Sequence, residues 1–101
     1  MTMEKLMEQE ARLAILKELA KEDNRAMSSA RMQVYLLTRL LIDKPREWVE
    51  QQFIYLRDMD AITIVQADSV KIARLADRGE YHLQGLISIP GVLRPSARSE
   101  V

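Results

Sequence analysis

Arg25, Arg31, Arg39, Lys44 and Arg46 crowd positions 24–46, where Asp43 is the single acid, so this window carries five cations against one anion, net +4. Elsewhere the balance reverses. Residues 1–23 hold four basic and six acidic groups, 47–80 hold four and seven, and 81–101 hold two and one, which brings the whole chain to zero. Guanidinium and ammonium groups gathered in one window are suited to phosphate, and each neutralised phosphate adds to the salt dependence of binding. Gln51 follows shortly after, and its carboxamide has the donor–acceptor pair that matches adenine, while Arg46 suits guanine or phosphate. The residues set to contact DNA are therefore Arg31, Arg39, Lys44, Arg46, Gln51, Tyr55 and Lys71. Glu47 and Glu50 share the same outward face and oppose phosphate. Trp48 and Tyr55 also suit plain packing, since single-strand stacking platforms need aromatics interleaved with basic groups.

Other chemistries find no support. The chain has no cysteine and one histidine, His82, without carboxylates at ligand spacing, so no metal site is expected and His82 reads as an ordinary helical position. Dinucleotide fingerprints, P-loops and nucleophile motifs are missing. No enzymatic activity and no cofactor are expected. The opening "MTMEKLMEQE" is charged rather than a leader, and no apolar run approaches the ~20 residues of a membrane span. The expectation is a cytoplasmic protein without a membrane partner.

The elements that must carry these residues follow from periodicity. With 101 residues and 48% apolar content, one domain spanning residues 1–95 is expected, with 96–101 as a disordered end. Leu6, Leu13, Leu16 and Leu19 with Ile15 make an apolar stripe over 3–22. Ser28 or Ser29 is placed to cap a second helix through residue 42. Pro45 suits the first turn of a third helix, 45–59, whose Val49, Phe53 and Leu56 mark the core side. "AITIVQ" and "VKIARL" are β-branched runs that read as a hairpin, and a short helix over 77–85 ends at Gly85. Pro90-Gly91 suits the two central positions of a type II turn.

Three helices followed by a two-stranded hairpin is the winged helix-turn-helix order: mainly α, with a three-helix core, a two-stranded wing, a short C-terminal helix and an extended tail. The third helix of such a fold normally enters the major groove. "LADRGEYHLQGLISIPGVLRP", Leu75–Pro95, resembles the end of a family of small winged-helix proteins of Mu-like bacteriophages and prophages. Leu75, Arg78, Gly79, Gly85, Pro90, Gly91, Val92, Arg94 and Pro95 fall in register with that pattern. The resemblance implies a small cytoplasmic phage protein in a bacterial host. Ala76 departs from it where a capping hydroxyl is usual, and Asp60-Ala61 stand for Gly-Leu before the wing.

Two functions fit these expectations. One is double-stranded DNA binding through helix 45–59 and the basic window, in regulation or DNA processing. The other is a non-enzymatic adaptor or assembly protein acting as a homodimer, with a phage protein as a further partner. Met3, Leu6, Met7, Ile87, Ile89, Val92 and Leu93 are the expected interface, because their aliphatic bulk exceeds what a free terminus carries.

Overall fold

The computed structural model describes residues 2–95, and the disordered end expected at 96–101 lies outside them. Helix α1, Met3–Lys21, begins where Thr2 Oγ1 accepts a hydrogen bond from the Lys5 amide at 3.1 Å, satisfying one of the donors a helix start leaves unpaired. Leu13, Leu16 and Leu19 of its leucine stripe are buried in the core with Ala11, Ala14 and Ile15, while Leu6 is exposed.

After α1 the chain forms a strand that the sequence reading lacks: β1, Ala26–Ser28. Three residues are too few to show an alternation. Asn24 Oδ1 accepts from the Ala26 amide at 3.1 Å and sets the entry. The hairpin is therefore part of a three-stranded antiparallel sheet rather than a free two-stranded wing. It comprises β2, Ile62–Ala67, and β3, Val70–Leu75, in the order β1-β3-β2. Met27, Ala73 and Ile64 lie in register across it and join the core or pack against it.

Helix α2, Ser29–Leu40, is capped by Ser28, whose hydroxyl accepts from the Arg31 amide at 3.2 Å. Helix α3 spans Arg46–Asp58, so Pro45 is its cap residue rather than part of its first turn. Val49, Phe53 and Leu56 face the core, as their spacing requires, joined by the amide of Gln52. Asp60 takes a left-handed φ of +63° where the chain turns toward β2, a conformation aspartate tolerates better than most residues. Helix α4, Asp77–Leu83, starts at Ala76 without a side-chain cap. It lies so close to the loop before β2 that a Cβ on Gly79 would sit 2.4 Å from the Ala61 carbonyl oxygen.

The C-terminal stretch returns to the core of its own chain. Ile89 and Val92 are buried among the core residues, and Ile87 and Leu93 pack against them. This corrects the expected dimer surface, because burial in cis removes Ile89 and Val92 from any partner. Met7 also packs against the core, whereas Met3 and Leu6 remain exposed. The Ile89 carbonyl accepts from the Val92 amide at 3.2 Å, and Gly91 has φ +81°. With proline before it, that is a type II turn.

Candidate functional site

Helical geometry sends α3 side chains outward every three to four residues. With Val49, Gln52, Phe53 and Leu56 inside, the opposite face consists of Glu47, Gln51, Ile54 and Asp58. Gln51, Glu47 and Asp58 are exposed and Ile54 is half-buried. Its outermost charges are thus acidic. Arg57 beside Asp58 is paired with it at 3.2 Å.

Glu50 belongs to this face only in part. Its carboxylate turns toward the sheet and accepts from Ser29 Oγ at 2.6 Å, and the same hydroxyl accepts from the Lys71 amide at 3.3 Å. One serine therefore joins α2, α3 and β3. Arg46 lies 3.8 Å from Glu50, so the expected guanine-reading cation is drawn back along its own helix.

The remaining expected contacts are similarly engaged. Arg31 is 3.7 Å from Glu22, and Lys44 is 3.7 Å from Glu4 and 5.7 Å from the Trp48 ring centre. Arg25, in the same basic window but outside the expected contacts, pairs with Glu80. Lys71 donates to Gln66 Oε1 at 2.9 Å, within the hairpin rather than beyond it. Exposed ion pairs of this kind contribute little stability, but each anion lowers the local positive potential. Arg39 points to the other side of α2. There it lines a groove of about 330 Å³ between α1 and α2, together with Lys17, Lys21, Glu10 and Tyr35. The Tyr35 phenol is pushed above its ordinary range by burial first and by Glu18 second, with Arg39 opposing both.

Tyr55 is not on the outward face. Its ring lies 3.7 Å beneath the Arg12 guanidinium, and its hydroxyl donates to the Pro90 carbonyl at 2.8 Å. Arg12 in turn donates to Gln52 Oε1 at 2.8 Å and to the Gly91 carbonyl at 2.9 Å. Sequence reasoning missed this cluster, whose members are up to 79 positions apart.

It also missed the part played by His82. The ring is fully buried. Nδ1 accepts from the Ile89 amide at 3.1 Å, so the proton belongs on Nε2, which donates to the Leu93 carbonyl at 2.9 Å. Gly79 and His82, three apart on one face of α4, were the available signal. Among the described residues no group of three or more His, Cys, Asp or Glu is placed to hold a metal ion, and no helix is long and apolar enough to cross a membrane.

The basic window is therefore dispersed over several faces, and the sites expected to read DNA do not converge. No known family model, curated protein or solved structure matches the chain.

Proposed function

We propose that the chain is a non-enzymatic winged-helix interaction protein whose α3 face engages a basic protein surface rather than the major groove. The order of the elements supports a winged-helix reading, with α2 and α3 as the helix-turn-helix and β2–β3 as the wing, a fold that hosts both DNA-binding and protein-binding sites. One observation carries the choice between them. The outward face of α3 presents Glu47, Gln51, Ile54 and Asp58, a glutamine and a half-buried isoleucine flanked by two carboxylates, and this acidic balance opposes phosphate and complements a basic protein surface. The resemblance of Leu75–Pro95 supports the reading of such a protein as an assembly or accessory protein of a Mu-like phage or prophage, working in a bacterial cytoplasm.

A second reading, double-stranded DNA binding in regulation or processing, is favoured by the exposed Gln51 at the middle of that face. Anisotropy titration with labelled duplex DNA at about 50 and 200 mM salt separates the two. The adaptor reading expects no binding by the wild type at either salt, and salt-sensitive binding once Glu47→Lys and Asp58→Lys remove the carboxylates. Wild-type binding that falls with salt and is lost in Arg46→Ala with Gln51→Ala overturns it in favour of DNA.

A further inference from the structure

Helix α2 is apolar on two sides. Met32 and Leu36 face the core. Ala30, Val34 and Leu37 follow at intervals of four and three, which sets them along one line away from the core, and Leu41 comes four residues later, just past the end of the helix. Val34 is 59% exposed, Leu37 43% and Leu41 83%. No charged residue interrupts that line.

Leu41 is unusual twice over. It takes a left-handed φ of +58° at the end of α2, a position that glycine or asparagine ordinarily fills. The turn also sends a large aliphatic side chain almost wholly into water. Backbone strain and exposed apolar bulk at one residue point to a use for that side chain.

The other end of the line supplies the receptor. Ala30 and Val34, with Met27, Glu18, Arg31 and Tyr35, line an open groove of about 460 Å³. Ala30 is the one small member of the stripe, and it sits where a knob from outside has room.

We propose that α2 is the interface of a homodimer in which two copies pack antiparallel about a two-fold axis between Val34 and Leu37. The stripe is self-complementary in that register. Ala30 meets Leu41 of the second copy, and Val34 meets Leu37 of the second copy, so each Leu41 fills the groove over the other copy's Ala30. A two-fold interface requires such reciprocity of one patch with itself. Charge agrees with the register. The two Arg31 groups stand about 13 Å apart along the helix axis, beyond the screening length at physiological salt. The exposed Asp43, two residues past Leu41, comes to the Arg31 end of the other copy. The proposal concerns a face other than α3's outward one and stands whichever ligand α3 takes.

Sedimentation equilibrium of the full chain over about 5–500 µM tests it, the range suiting an interface at the small end of stable ones. The expected result is a rise from 11.7 kDa toward twice that mass. Leu41→Gly relieves the strained φ while deleting the knob, so it is expected to melt at or above the wild-type temperature yet remain monomeric. Val34→Glu is also expected to be monomeric, and adding Leu37→Lys restores association. Because the chain has no cysteine, Val34→Cys mixed with Leu37→Cys reports the register directly, as a disulfide between unlike variants forming in preference to either like pair. A wild type that stays monomeric at the highest concentration overturns the proposal. So does a dimer that survives both Leu41→Gly and Val34→Glu, because pairing would then use another face, such as the exposed Met3 and Leu6.

Discussion

The guanidinium of Arg12 lies 3.7 Å above the ring of Tyr55, and both side chains also reach the turn at Pro90-Gly91, Arg12 through the Gly91 carbonyl and Tyr55 through that of Pro90. The first helix, the third helix and the C-terminal stretch are thereby joined at one point. Removing the phenol hydroxyl with Tyr55→Phe is expected to cost about 1 kcal/mol in urea unfolding, the usual net value of one hydrogen bond. Gly91→Ala is expected to cost more, because a Cβ there would stand 2.0 Å from the Tyr55 hydroxyl, at a φ of +81° that side chains rarely adopt. A Gly91→Ala protein as stable as the wild type would show that the tyrosine moves aside without loss.

His82 holds the same stretch from the other side. His82→Ala leaves the Ile89 amide and the Leu93 carbonyl without their present partners and opens a void beneath Ile89. A loss of about 2–4 kcal/mol is expected. Limited proteolysis should cut first between Leu83 and Leu93, and Ile89 amide exchange should accelerate beyond what the global loss explains. Unchanged protection at Ile89 would remove the histidine from this role.

Gly79 is required by contact. Gly79→Ala places a methyl group 2.4 Å from the Ala61 carbonyl oxygen and 2.8 Å from Leu75 Cδ1, and backbone cannot swing away as a flexible side chain can. A destabilisation of about 1–3 kcal/mol is expected, as for overpacking generally, against the slight gain that Ala for Gly brings in an open helix. A raised melting temperature would contradict the tight approach of α4.

Tyr35 confers an alkaline limit. Burial, then Glu18, raises its phenol in the folded chain above the ordinary value of 10.0, with Arg39 opposing. The folded state therefore holds the phenol proton more tightly than the unfolded state does. The stabilisation is complete below pH 10 and is lost as pH rises through the folded value. Melting temperatures of wild type and Tyr35→Phe, measured from pH 8 upward, should run parallel to pH 10, with the wild type then falling more steeply. Parallel curves throughout would place the tyrosine in water-like surroundings.

Elements governed by near neighbours were legible in advance. The leucine stripe of α1, the core triplet of α3, the serine cap of α2 and the turn at Pro90-Gly91 all depend on residues within a few positions of one another, and periodicity or backbone preference marks each. The two β-branched runs also found each other, since only Asp68 and Ser69 separate β2 from β3. β1 was not legible, because a three-residue strand has no period and is recruited by β3, more than forty positions away in register. The candidate site was legible only as a list. The sequence counts five cations in one window, but opposite charges fold against four of them from Glu4, Glu22, Glu50 and Glu80.

By itself, then, the sequence determined the helices, the hairpin and the sharp turn near the end, because short-range sterics and hydrophobic spacing decide those. Only the tertiary structure decided that the aliphatic C-terminal stretch covers its own core and that glutamates from other elements fold against the cations of the basic window. It also left a leucine-rich line of α2 facing water. Each of these depends on which distant surfaces meet, and apolar burial and charge pairing act between neighbours in space, whatever their separation along the chain.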